Sequence, residues 1–247
     1  MLQSSTGGCS VSRILFSSFL IFPFPFGLSQ IGKNPSASEF LRRVEDHYHS
    51  ARTLQATFLE RYSEGRKDVR LESGTVFFSR PGRMRWDYEE PEKKLFLADG
   101  LHVWFYVPAD RTVSRAKTKE STDWRTPLAM LAGKGSFSRA CRVIEWVAQP
   151  QFSASAPPPN SSARLGVRCL PKAADAEFSE VALEADSAYR ILRILIREPG
   201  GIETEFRFAA WQENISLAES LFHFDAPPGV AIVEESLSAS PRRPGNE

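Results

Sequence analysis

Cysteine, histidine and methionine are scarce in this chain. Three cysteines, four histidines and three methionines are spread over 247 residues. That is too thin a supply for a metal framework. No G-x-S-x-G elbow, H-E-x-x-H pair or glycine-rich phosphate loop occurs. No catalytic residue, metal or cofactor is therefore expected. Neither sign of charge dominates, with 31 Lys plus Arg against 30 Asp plus Glu and a net charge of +1. The chain lacks the basic field that draws proteins to nucleic acid. A mean hydropathy of −0.29 argues against several membrane spans. The longest apolar stretch, within residues 14–22, falls short of the roughly 20 residues a span needs. Phenylalanine, by contrast, is abundant: 18 residues, within a chain that is 42% hydrophobic. That composition suits a large apolar core or lining.

Residues 1–29 read as a cleaved export signal. Arg13 precedes the apolar run, Pro23 and Pro25 break it, and Gly27 and Ser29 are small residues before a cut at Gln30. The competing reading is an uncleaved anchor. Cys9 lies ahead of the apolar run, out of place for lipid attachment. The domain itself is expected over 30–235, followed by a disordered Ser-, Pro- and Arg-rich tail over 236–247.

Ser36 and Glu39 form a capping box ahead of Phe40, Leu41, Val44 and Tyr48, which predicts a helix over 37–50. From Leu54 onward the period changes to two. Val76 and Phe78, then Met84, Trp86 and Tyr88, then Leu95 and Leu97, then Val103 and Phe105 mark short strands joined by tight turns. The alternation pauses at 123–135. There Thr126, Pro127 and Gly133 bracket Leu128, Ala129, Met130, Leu131 and Ala132, a short helix apolar on nearly every side. Strands resume near 140–148, 163–170, 178–185, 189–197 and 202–211, with further alternation at Phe222 and Phe224 and a last apolar residue at Ile232. The total is about 10–11 strands, predicting a mainly β fold. A curved antiparallel sheet with helices against one face meets the burial pattern.

A hairpin centred on residue 155 would set Cys141 opposite Cys169, either as a cross-strand disulfide or as two neighbouring buried thiols. His47 and His49, two apart on a helix, face different ways. Arg80 shares strand parity with Val76 and Phe78, so its guanidinium should face the apolar side and need acceptors there. The alternative is a strand-end arginine reaching solvent.

One block resembles the periplasmic outer-membrane lipoprotein carrier family, LolA. It runs Ser79-Arg80-Pro81-Gly82-Arg83-Met84-Arg85-Trp86-Asp87-Tyr88, Pro91, Ala98-Asp99-Gly100 and Val103-Trp104-Phe105-Tyr106-Val107-Pro108. Residues 126–132 are similar to that family's lid helix, and Phe222 to Val230 to its C-terminal signature. The resemblance implies an unclosed β-barrel with helices covering its concave apolar face. It also implies a soluble periplasmic chaperone that shuttles acylated lipoprotein cargo from an inner-membrane release complex to an outer-membrane receptor; such a carrier needs no dimer, so a monomer is expected. Val76, Phe78, Met84, Trp86, Leu95, Leu97, Val103 and Phe105 would line the acyl cavity. Pro127, Leu128, Met130 and Leu131 would form the lid, and Arg80 its latch. A lipid- or partner-binding envelope sensor on the same fold is the alternative function.

Overall fold

The computed structural model describes residues 35–65, 67–117, 128, 130–133, 135–147, 165–173 and 178–234. The expected signal segment 1–29, Pro127 of the lid, the proline-rich 157–159 stretch and the 236–247 tail lie outside the described residues.

Ser36 starts α1 (Ala37–Ser50), its Oγ accepting the Glu39 N–H at 3.1 Å. The Glu39 carboxylate pairs with Arg43 at 2.6 Å. Ser36 supplies the cap of the predicted box, while the acid braces the next turn. Phe40, Leu41, Val44 and Tyr48 form the buried stripe.

Among the described residues twelve strands follow: β1 (Thr53–Glu64), β2 (Lys67–Ser79), β3 (Arg83–Glu90), β4 (Lys94–Ala98), β5 (His102–Val107), β6 (Thr112–Lys117), β7 (Cys141–Trp146), β8 (Leu165–Pro171), β9 (Glu180–Ala185), β10 (Ile191–Arg197), β11 (Ile202–Glu213) and β12 (Ala231–Glu234). A single turn of helix, α2 (Phe137–Ala140), precedes β7. All twelve strands form one sheet in the order β12-β6-β5-β4-β3-β2-β1-β11-β10-β9-β8-β7. Its two edge strands, β12 and β7, do not pair with each other, so the sheet is unclosed. Neighbours are antiparallel except β12, which lies parallel to β6.

The count exceeds the sequence expectation partly because β6, Thr-Val-Ser-Arg-Ala-Lys, carries little apolar alternation to announce it. The Phe222 and Phe224 alternation is a second correction. Glu219–Phe222 is a 3-10 turn rather than a strand. Phe222 and Phe224 are held by the outside of the sheet: Arg83 lies over the Phe222 ring at 5.1 Å, and Phe224, just beyond the turn, packs on Trp104 at 5.3 Å and Tyr106 at 5.5 Å.

Register fixes which residues share a face. Leu54, Phe78, Met84, Ala98 and Val103 stand side by side across β1 to β5, as do Ala56, Val76, Trp86, Phe96 and Phe105. This is the inner face, packed against α1 in one core. Gly74 lets β2 and β3 approach closely there. A Cβ at that position would come within 1.9 Å of the Asp87 carbonyl oxygen.

Candidate functional site

The inner face is a continuous apolar surface with an aromatic centre. Trp86 lies 4.8 Å from Phe58, 5.3 Å from Phe206, and 6.1 Å from both Phe78 and Phe208, measured between ring centroids. Of the residues expected to line it, Val76, Phe78, Met84, Trp86 and Val103 are buried in this core, and Phe105 packs at its margin.

Leu95 and Leu97 do not belong to it. They pair with Asp87 and Arg85 on β3, and with Tyr106 and Trp104 on β5, which places them on the outer face. Phe96 and Ala98 take the inner positions. The segment Lys94-Leu95-Phe96-Leu97-Ala98 is apolar at four successive positions, so alternation alone could not tell its faces apart. Phe58, Phe206 and Phe208 also enlarge the inner face; their alternation along β1 and β11 was the available signal.

A cover made of α1, the 128–133 segment and Phe137 of α2 closes over this surface. Leu128, Met130, Leu131 and Ala132 are all buried in the same core as the sheet residues. Leu128 is helical, and Met130 to Gly133 form a turn. The Leu131 N–H reaches the Leu128 carbonyl at 3.0 Å and the Gly133 N–H reaches that of Met130 at 2.9 Å. Gly133 ends the segment with φ +83, a left-handed conformation that glycine adopts without strain.

Three connections hold the cover at its ends. First, the turn after β2 touches it. The Gly82 N–H donates to the Ala132 carbonyl at 2.7 Å, and Arg80 Nη2 donates to the Met130 carbonyl at 3.4 Å. Arg80 follows the end of β2 and is half-buried. Its Nε is buried without a partner, and burial lowers its pKa. A Cβ on Gly133 would come within 2.8 Å of Arg80 Nη1, so the guanidinium lies directly against this turn.

Second, Glu45 of α1 is buried and accepts from Ser136 Oγ at 3.1 Å, the Ser138 N–H at 2.9 Å and Ser138 Oγ at 2.7 Å. Sequence reading missed this carboxylate, because its partners lie on a distant segment.

Third, Cys141 immediately after α2 is joined to Cys169 on β8, with Cα atoms 5.4 Å apart. Their register is offset from direct opposition: Cys141 faces Pro171, and Ile144 faces Cys169, with an irregularity between Cys141 and Val143.

His47 Nε2 lies 2.9 Å from Glu213, whereas His49 is exposed.

An unclosed sheet with a covered apolar inner face is the architecture of a protein that can shelter apolar matter from water. Residues 49–225 match the family model described as outer membrane lipoprotein carrier protein LolA, and the chain belongs to that family. It is a binding and transport family. A relative from Nitrosospira multiformis, named outer-membrane lipoprotein carrier protein, is 28% identical over 223 residues, covering 90% of this chain and 96% of the relative. One of the same name from Nitrosomonas europaea is 26% identical over 204 residues, covering 81% and 92%. Among solved structures, an uncharacterised conserved protein from Thermus thermophilus aligns with a TM-score of 0.49 at 14% identity, covering 81% of this chain and 99% of that one. A LolA superfamily protein from Nitrosomonas europaea aligns with a TM-score of 0.41 at 11% identity, covering 77% and 98%.

Proposed function

We propose that this protein is a periplasmic carrier. It takes the acyl chains of lipoproteins onto the inner face of its sheet and shuttles them, as a monomer, from an inner-membrane release complex to an outer-membrane receptor. The observation that carries this reading is the apolar inner face under a cover whose 128–133 portion is packed on it mainly by apolar side chains. Each acyl CH₂ withdrawn from water gains about 0.8 kcal/mol. A sixteen-carbon chain is therefore held by something on the order of 10 kcal/mol at most.

Delivery requires that some of this be returned. The closed form supplies the means. When the cover packs down, it displaces the chains and recovers its own apolar burial. The Arg80 contact adds a bias toward closure, and a bias toward the closed form lowers apparent affinity by the same factor. The expected export signal and the Cys141–Cys169 link both fit an oxidising compartment outside the inner membrane.

The test is native mass spectrometry of protein purified from the periplasm with a co-expressed acylated lipoprotein. A one-to-one complex that vanishes when the cargo's acylated cysteine is replaced supports carriage. Only bare chain, or chain with a small lipid, overturns the shuttle in favour of an envelope sensor. Arg80→Leu removes the bond to Met130, and should load cargo but hand it on poorly. Normal transfer to the acceptor by this variant would remove Arg80 from the latch role.

A further inference from the structure

We propose that the inner face has a second, polar zone that seats the head of the acylated ligand: the ester and amide groups where acyl chains join the cargo's terminal residue. The inference rests on the carrier reading above and adds an orientation to it.

A row of polar side chains crosses five adjacent strands toward the end of the inner face away from Arg80. It consists of Lys94 on β4, Tyr88 on β3, Glu72 on β2, Glu60 on β1 and Thr204 on β11. Each lies on the inner parity of its strand. Lys94 is two residues from Phe96, Tyr88 two from Trp86, Glu60 two from Phe58 and Thr204 two from Phe206, while Glu72 precedes Gly74 and Val76 on the same parity. Glu60 and Glu72 are directly opposite each other. Tyr88 Oη donates to Glu60 at 2.7 Å, and Glu72 is paired with Lys94 Nζ at 2.6 Å and Arg70 Nε at 2.8 Å.

Both carboxylates are at most 5% exposed. A face that served hydrocarbon alone would gain nothing from burying them. Ion pairing explains Glu72 and Lys94, and the Tyr88 hydroxyl serves Glu60, but neither explains Thr204. That residue is 3% exposed, and its Oγ1 has no hydrogen-bond partner. Register places it across from Tyr62 and one inner position along from Phe206, the partner of Glu60. A buried hydroxyl with an unused donor, diagonal to a buried carboxylate on the next strand, suits a group that offers both a carbonyl and an N–H.

The root of an acylated chain terminus offers that combination. Its carbonyls need donors once they leave water, and Thr204 provides one. Its amide N–H needs an acceptor, and Glu60 lies on the neighbouring strand, diagonal to Thr204 on the same face. With the head seated there, the chains run over Phe58, Trp86 and Phe78 toward the latch. From Glu60 to Leu54 this is about 20 Å of strand, enough for a long acyl chain. As the cover closes, it therefore meets the chain ends before the head.

The experiment uses the full chain and two synthetic probes. One is a lipopeptide with two ester-linked palmitoyl chains on its N-terminal cysteine. The other is its analogue with ether links and no ester carbonyls. Affinity is measured for the wild type, Thr204→Val and Glu60→Gln. The wild type should hold the ester probe about tenfold more tightly, and Thr204→Val should abolish that preference while binding the ether probe as before. Glu60→Gln should weaken both probes to a similar extent, since both retain the peptide N–H. Thermal unfolding of Thr204→Val should be unchanged or raised, because the hydroxyl has no partner to lose. If both probes bind the wild type equally and Thr204→Val changes neither, the polar seat is overturned while the carrier reading stands. If neither probe binds the wild type, the carrier reading itself falls, and this inference with it.

Discussion

Arg80 and Asp99 sit in neighbouring turns and illustrate opposite solutions to placing a charge against a sheet. Arg80 reaches a single carbonyl at 3.4 Å and has no carboxylate partner among the described residues, so burial works against its charge. Asp99 is fully served. It accepts the Leu101 and His102 N–H groups, each at 2.7 Å, and the Trp104 indole N–H at 2.8 Å. Burial opposes the Asp99 charge, but these donors, with His102 nearby, outweigh it and hold the carboxyl below its usual value. A carboxyl depressed by folding stabilises the native state above its unfolded-state value, near pH 4, and that contribution fades as pH falls through the lower folded-state value. Asp99→Ala should therefore cost about 1–3 kcal/mol at pH 7 in urea unfolding. The gap to wild type should narrow steadily below pH 4. An unchanged gap at pH 3 would mean that packing of the turn, not its charge, makes the contribution.

Among the elements, α2 is too short to be stable alone and depends on its anchors. Glu45 satisfies the Ser138 N–H and two serine hydroxyls at its start. Cys141 fixes its other end to β8. Glu45→Ala would leave these groups without their acceptor and should cost about 1–3 kcal/mol, with faster amide exchange confined at first to 136–140. Exchange that rises equally throughout the sheet would refute an anchoring role. Replacing both Cys141 and Cys169 with serine removes a closure spanning 28 positions. It should lower unfolding stability by about 3–4 kcal/mol on the chain-entropy estimate.

The elements also mark what sequence could show. The bounds of α1 and the hairpins up to β5 were legible, because capping and alternation are local signals. β6 was hidden by its polar composition, and the faces of β4 by an unbroken apolar run. Glu45 and the Glu60–Thr204 row were out of reach for a different reason. Their meaning depends on partners brought together by strand order, and no pattern along the chain encodes that.

For the whole molecule, the question is which part moves. The outer face of β7 to β11 is crossed by a ladder of alternating charge: Glu145, Arg168, Glu180, Arg197 and Glu203, each paired to the next. Beside it, the buried Glu205 pairs with Arg61, Arg193 and Arg207. Ladders that join five strands tie that half of the sheet into one piece. Among the described residues, the 128–133 cover, by contrast, is attached to the sheet by two backbone-carbonyl contacts and by apolar packing. Opening is therefore expected in the cover, with the sheet as its frame. Leu131 is fully buried in that packing. A carboxylate there cannot be buried without a partner, so Leu131→Asp should hold the cover open while leaving the strands paired. The expected result is native far-ultraviolet dichroism together with strong binding of an apolar dye such as ANS, and tighter retention of acyl ligand, since closure no longer competes with it. A variant that binds no more dye than wild type and releases ligand normally would show that the cover opens without Leu131 leaving its place. The moving part would then have to be sought in α1.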